Sequence, residues 1–286
     1  MEALGYYNGQ IGLLKDMTVP MNDRAVYFGD GVYEAVLVKN RVIFSLEEHL
    51  NRFERSYKAL RLNFPLTREE LAAELYKVVD AMDTDATLLL YWQASRATAP
   101  RKHTFPEGAK ANLMITLKPI TLKDMKTFRH KLITWEDTRY LHCDVKTLNL
   151  IPSVMAAQAA EEKGCTEVVQ HRGERVTEGA HSNIVIVKDG RLITAPLDNL
   201  ILPGITRMHL LQLAKQCGIP YEERIFTLDE LRAADEILVT SSSALCLRAE
   251  ELDGAAVPQT AGAIVETLQE AYRQKFEKET DPTLRK

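Results

Sequence analysis

Short apolar stretches separated by turn residues open the chain and predict β-structure there. Asn8-Gly9, between Tyr6-Tyr7 and Gln10-Ile11, supplies the residue types a tight hairpin turn requires, because both central positions need positive φ. A second hairpin is predicted where Val36-Leu37-Val38 meets Val42-Ile43-Phe44 across Lys39-Asn40-Arg41. The period then changes. Leu46, Leu50, Phe53, Tyr57 and Leu60 recur at helical spacing, and Ser45 with Glu48 reads as a capping box at the start of that helix. Thr67 and Glu70 repeat the signature before Leu71, Leu75 and Val78. The apolar runs Leu88–Trp92 and Leu113–Leu117 predict buried strands. Between them, Ser95–Gly108 offers no face that could enter a core and reads as a loop.

From Pro119 to about Phe128 the pattern weakens, which places a domain boundary there. Strand and helix alternate afterwards. Leu132–Trp135 predicts a strand, and a helix runs from Leu148 to Lys163 with Gly164 as its stop. Hairpins are expected at Arg172-Gly173 and Asp189-Gly190, then a helix from Thr206 to Gly218, a strand over Glu236–Val239 and a final helix over Gly262–Phe276. No repeat and no regular βαβ run is visible. The expected fold class is α+β in two domains: an N-terminal α/β domain over residues 1–120 and a C-terminal α+β domain over residues 121–286.

Composition narrows the function. A formal net charge of −4 leaves no basic footprint for nucleic acid. Cys143, Cys165, Cys217 and Cys246 are widely spaced, so neither a disulfide framework nor a zinc site is expected, and a reducing cytoplasm fits. The start MEALGYYNGQ has no apolar signal region, and no apolar run is long enough to span a membrane. The histidines show no H-x-x-x-H or H-x-H spacing, which argues against a metal hydrolase.

Several segments carry chemistry. Lys146 sits where a strand gives way to a helix, a place where side chains line clefts, although a lone lysine also reads as a solvated one. Glu178-Gly179 leads through a polar turn into the strand Ile184–Val187. In Leu202-Pro203-Gly204-Ile205-Thr206-Arg207 the glycine precedes a helix start whose amides have no intrahelical partners, an anion site or a plain junction. Thr240-Ser241-Ser242-Ser243 adds hydroxyl donors after a strand. Arg52, at the border of the first apolar helix face, suits bidentate phosphate binding.

In this order and spacing, the segments resemble the fold-type-IV pyridoxal-phosphate-dependent enzymes, which include D-amino-acid aminotransferases, branched-chain aminotransferases and aminodeoxychorismate lyases. The matching pieces are Phe28-Gly29-Asp30-Gly31-Val32-Tyr33-Glu34, Glu48-His49-Leu50-Asn51-Arg52-Phe53, Lys146-Thr147-Leu148-Asn149, Glu178-Gly179 with Ser182-Asn183, the Leu202–Arg207 stretch and Thr240-Ser241-Ser242. The resemblance implies pyridoxal 5'-phosphate in a cleft between the two domains, joined to Lys146 as a Schiff base. It implies Glu178 at the pyridine nitrogen, Leu202 against the ring, and Arg52, the Ile205 and Thr206 amides, Ser241 and Ser242 at the phosphate.

Pro100-Arg101-Lys102-His103-Thr104-Phe105-Pro106 looks like the carboxylate-binding loop of the D-amino-acid aminotransferases, in which Arg101, His103 and Tyr33 would grip the substrate α-carboxylate. In that family the loop reaches across a dimer interface, implying a homodimer. One departure stands out. Small hydroxyl residues usually follow the Glu-Gly pair, whereas this chain has Ala180-His181, so His181 bears on the side-chain preference. The expected reaction is transamination of a D-amino acid such as D-alanine with a 2-oxo acid, 2-oxoglutarate first. A branched-chain L-aminotransferase and an aminodeoxychorismate lyase of the same fold are the alternatives.

Overall fold

The computed structural model describes residues 1–285 and divides them into two compact units. The first comprises Met1–Leu122, Val145–Asn149 and the stretch from Phe276 onward; the second comprises Lys123–Asp144 and Leu150–Lys275.

In the first unit, β1 (Leu4–Tyr7) and β2 (Gln10–Leu13) form the opening hairpin, with Asn8 at φ 45° and Gly9 at φ 98°. The short helix α1 (Arg24–Phe28) precedes β3 (Gly31–Lys39). Asn40 and Arg41, both at positive φ, turn the chain into β4 (Val42–Ile43). Then come α2 (Leu46–Ala59), α3 (Arg68–Met82), β5 (Leu88–Ser95) and β6 (Asn112–Pro119). The sheet order is β2-β1-β6-β5-β3-β4. Every neighbouring pair is antiparallel, which corrects the α/β expectation for residues 1–120. The connection from β3 to β5 passes through β4, α2 and α3, and β5 pairs antiparallel with β3 from Gly31 opposite Ser95 to Val38 opposite Leu88.

Alternation along β5 and β6 buries Leu88, Leu90, Trp92, Leu113, Ile115 and Leu117. Leu50 and Phe53 of α2 and Leu71, Leu75 and Val78 of α3 are buried with them. The Thr67 capping box forms as expected, but Ser45 does not cap α2. Its backbone is left-handed (φ 51°), and its hydroxyl donates instead to the Glu279 carboxylate at 3.1 Å.

The second unit contains β7 (Arg129–Glu136), α4 (Ile151–Glu162), β8 (Glu167–Arg172), β9 (Arg175–Val176), β10 (Asn183–Lys188) and β11 (Arg191–Thr194). It continues with α5 (Ile205–Gln216), β12 (Tyr221–Glu223), α6 (Leu228–Arg232), β13 (Glu236–Ser241), β14 (Leu245–Leu252), β15 (Ala255–Ala256) and α7 (Gly262–Glu279). The sheet runs β12-β11-β10-β13-β14-β7-β8-β9, with β15 on β14. It is mixed: β7 and β8, joined through α4, pair in parallel, as do β14 with β7 and β11 with β12. Leu132, Val169, Ile184, Ile186, Phe226 and Val239 form its buried centre.

Two boundaries differ from the sequence reading for local reasons. Leu148 does not open α4, because Thr147 bridges to Val32 and the Leu148 N–H donates to the Gly31 carbonyl at 3.0 Å. Those bonds also explain why residues 145–149 group with the first unit instead of lying in a continuous 121–286 domain. Similarly, α7 continues past Phe276, and Asn40 donates to the Thr280 carbonyl at 3.0 Å, which ties the end of the chain to the first unit.

Candidate active site

Strand β3 points Tyr33 and Glu34 to opposite faces, as strand geometry requires. Glu34 is fully buried. Its Oε1 accepts from Arg52 Nε at 2.7 Å, and its Oε2 accepts from a terminal Arg52 nitrogen at 2.7 Å and lies 2.7 Å from His49 Nδ1. His49, Arg52 and Ser56 all lie on the buried side of α2, so that helix carries a polar stripe beside Leu50 and Phe53. Burial alone would raise the Glu34 pKa; the Arg52 charge and the bonds from Arg52 and His49 instead hold it well below the usual carboxylate range. Burial lowers His49, offset in part by Glu34, so the ring is neutral near pH 7 and donates from Nδ1 to a carboxylate that only accepts.

On the other face of β3, the Tyr33 N–H donates to the Lys146 carbonyl at 2.9 Å. The Lys146 N–H in turn reaches Ser56 Oγ at 3.3 Å. Lys146 is half-buried, and its Nζ lies 4.1 Å from the centre of the Tyr33 ring, which stacks on Tyr91. Lys146, Tyr33 and Arg52 are therefore brought together within one unit. Arg101 and His103 are exposed and meet at a different point: the Arg101 guanidinium lies 5.3 Å over the Phe28 ring, and the His103 ring centre is 5.2 Å from it.

In the second unit Glu178 is buried, with both oxygens engaged. Oε1 accepts from Arg139, while Oε2 accepts from Asn183 Nδ2 at 2.9 Å and from the Leu202 N–H at 2.9 Å. Arg139 is itself forked onto Asp137, Nε to Oδ1 at 3.0 Å and a terminal nitrogen to Oδ2 at 2.9 Å. Burial outweighs these donors and pushes Glu178 up to about 7. Arg139 went unnoticed in the sequence, where its only signal is an arginine two positions after Asp137 at a strand end.

Asn183 links this carboxylate to the start of α5. Its amide also donates to the Leu202 carbonyl at 2.9 Å, and a Cβ on Gly204 would lie 1.9 Å from its Oδ1, so any larger residue would displace the Asn183 side chain. Gly204 gives α5 no side-chain cap, which leaves the first-turn amides, Ile205 and Thr206 among them, without intrahelical partners. Both residues are buried. Thr240 pairs with Asn183 in the sheet, so Ser241 and Ser242 leave β13 at the end where Glu178 enters β10.

The turn after Glu178 is closed by the Gly179 N–H donating to the Ser182 carbonyl at 2.7 Å. Glu167, buried and also missed in the sequence, accepts from the Ala180 N–H at 3.0 Å and from Ser182 Oγ at 2.8 Å. His181 is exposed, but its Nδ1 stands 3.0 Å from the same Glu167 carboxylate. The first unit thus offers a half-buried amine and a buried arginine, and the second a buried carboxylate and an uncapped helix start.

Comparison with known proteins places the chain in a family. Residues 31–252 match the family model described as amino-transferase class IV. The chain is 38% identical to the D-alanine aminotransferase of Staphylococcus aureus (strain MSSA476), over 95% of this chain and 97% of that protein. It is 35% identical to the D-alanine aminotransferase of Bacillus licheniformis, over 97% of this chain and 99% of that one. Among solved structures, the branched-chain aminotransferase of Thermoproteus uzoniensis with norvaline superposes with a TM-score of 0.87 at 27% identity, covering 98% of this chain and 97% of the other. The branched-chain amino acid aminotransferase of Escherichia coli also gives 0.87, at 22% identity, covering 98% and 96%, a likeness of fold. A match of this length to the family model, with relatives this similar along nearly their whole length, means that the chain belongs to the class IV aminotransferases.

Proposed function

We propose that the chain transfers the amino group of a D-amino acid such as D-alanine to a 2-oxo acid, with 2-oxoglutarate as acceptor, using pyridoxal 5'-phosphate held by Lys146. The observation that carries this reading is the 35–38% identity to D-alanine aminotransferases over nearly the full chain. The donor set fits the cofactor. Lys146 offers an amine, Glu178 a buried carboxylate for a ring nitrogen, and Arg52 with the uncapped start of α5 offers phosphate donors.

When bound, the cofactor supplies an electron sink for the pair left on the substrate α-carbon. Lys146 Nζ takes the proton from that carbon and later returns one. Glu178, in its ionised form, would hold a proton on the ring nitrogen; burial pushes its pKa up to about 7. Arg52, the Ile205 and Thr206 amides, Ser241 and Ser242 would hold the phosphate, and Leu202 would pack against the ring. Arg101, His103 and Tyr33 grip the α-carboxylate, and His181 sets the side-chain range. The branched-chain enzymes among the solved structures share the fold, but at 22–27% identity they weigh less than the D-alanine relatives.

We further place the enzyme in the cytoplasm as a homodimer. Its cysteines are all free, and no helix among the described residues is long and apolar enough to cross a membrane. The dimer is supported by α4, which exposes Ile151, Val154 and Met155 along one side. Subunit exchange between Lys146→Ala, which is inactive, and Arg101→Ala, whose KM for D-alanine is expected to be raised, tests it at low D-alanine, where neither parent turns over appreciably. Recovered activity is expected if the loop serves the partner's site, and none if each chain acts alone.

Absorption of the purified holoenzyme tests the reaction. A band near roughly 410–420 nm should shift towards about 330 nm on adding D-alanine, a change that belongs to the cofactor. A shift with L-leucine, L-isoleucine and L-valine alone would overturn the D-amino-acid reading.

A further inference from the structure

The Phe28-Gly29-Asp30-Gly31 motif contributes no group to the chemistry above, yet it is built into a buried charge cluster. Arg24 on α1 and Arg96 just after β5 are both buried, and both converge on Asp30. Arg24 Nε donates to Asp30 Oδ2 at 2.7 Å, and Arg96 Nε donates to the same oxygen at 2.8 Å. One carboxylate cannot satisfy two guanidinium groups, so the surplus donors turn to backbone carbonyls. Those of Arg96 go to Leu60 at 2.9 Å and Arg61 at 3.1 Å. A terminal nitrogen of Arg24 goes to Lys102 at 2.5 Å and to Thr104 at 3.4 Å, the two carbonyls that flank His103.

The side chains repeat this pattern. Phe28 lies one helical turn from Arg24 on α1, and its ring is the platform for both His103 and Arg101. At the far end of the loop, the Arg96 guanidinium lies 3.6 Å over the Phe105 ring. The base of the loop is stitched to the same segment, Arg24 N–H to the Ala97 carbonyl at 2.9 Å and Ala99 N–H to the Asn22 carbonyl at 3.0 Å.

We propose that Arg24, charged against Asp30 and carrying Phe28 beside it, is a positioning residue that sets Arg101 and His103 for the substrate carboxylate. This rests on the carboxylate-gripping role given to those two residues above. Arg24 touches no substrate. It fixes the backbone on either side of His103, while Phe28 fixes the planes of the two recognition side chains. A pre-set fork loses less freedom when it closes on a carboxylate, so the cluster acts on affinity.

The test uses holoenzyme and steady-state transamination of D-alanine, with propionate as a competitive probe that carries a carboxylate and no amine. Arg24→Gln is expected to raise KM for D-alanine and the propionate inhibition constant together, by about tenfold or more, with kcat changed less than about threefold. Arg24→Lys should recover part of that loss, and the cofactor absorption band should stay unchanged. If Arg24→Gln fails to fold, Phe28→Leu carries the test, because it keeps apolar bulk while removing the platform and should raise both constants in the same sense. Unchanged constants in a folded variant, or a loss confined to kcat or cofactor retention, would overturn the proposal. Arg101→Ala in the same assay separates the two ideas. If it leaves KM for D-alanine unchanged, the carboxylate reading itself fails; if it raises KM while Arg24→Gln and Phe28→Leu do not, only the positioning role fails.

Discussion

Glu34 in the first unit and Glu178 in the second are both buried against an arginine, and the two are driven in opposite directions. Glu34 receives both arms of Arg52 and a bond to His49, which together pull its pKa well below the normal range despite complete burial. Glu178 receives one arm of Arg139, whose charge is shared with Asp137, plus two neutral donors, and burial pushes it up to about 7. Arg139 stays charged throughout, its own pKa raised by Glu178 and Asp137 despite the opposing effect of its burial, so the direction at Glu178 records burial against a divided guanidinium. Charged Glu34 is a strut that orients Arg52, whereas the Glu178 carboxyl lies close to the pH at which it trades a proton.

Removing each carboxyl should break this contrast in different ways. Glu178→Gln is expected to lower transamination by about 10²–10⁴-fold, because the amide cannot hold a proton on a ring nitrogen. Its thermal stability should be equal to or above that of the parent near pH 8, where the parent buries a charge at a cost. Steady-state kinetics and a melting curve on the same sample check both.

Glu34→Gln should do the reverse. It removes the carboxylate that pairs with the buried Arg52 and costs about 3–5 kcal/mol of stability in a denaturant titration at pH 7. A depressed pKa contributes stability that is present above the unfolded value of 4.5 and lost as pH falls through the folded one. The parent should therefore lose stability below about pH 5 more steeply than Glu34→Gln. For Glu178, with its pKa raised, the stability contribution is present below 4.5 and fades as pH rises through about 7. Glu178→Gln should remove that decline.

Arg139→Gln sharpens the comparison with a smaller effect. Losing its share of the guanidinium should raise the Glu178 pKa further and move the acidic limb of the kcat/KM profile to higher pH by about one unit. An unmoved limb would mean that Arg139 only packs.

Much of this was legible in the sequence because the signals are local. Asn8-Gly9, Thr67 with Glu70, and Gly164 and Gly218 after their helices act through their own backbone, and each marks the element it was expected to mark. Ser45 was misread because a tertiary partner, Glu279, takes the hydroxyl a cap would use. The α/β expectation for the first domain failed because strand direction depends on the whole path of a connection, here β4, α2 and α3, which periodicity does not register. The start of α4 was placed too early because Thr147 and Leu148 bond to β3, residues far away in sequence. Lys146, Glu178, Arg52 and the Gly204 helix start could be singled out from residue type and order. Arg139, Glu167 and the Arg24–Asp30–Arg96 cluster could not, since an arginine or an acid near a strand end signifies nothing until its buried partner is known.

The proposed chemistry depends on which amine carries the cofactor. Borohydride reduction of the holoenzyme, followed by peptide mapping, should place the label on Lys146, and Lys146→Ala should take up none. A label on another lysine, or full incorporation into Lys146→Ala, would contradict the assignment.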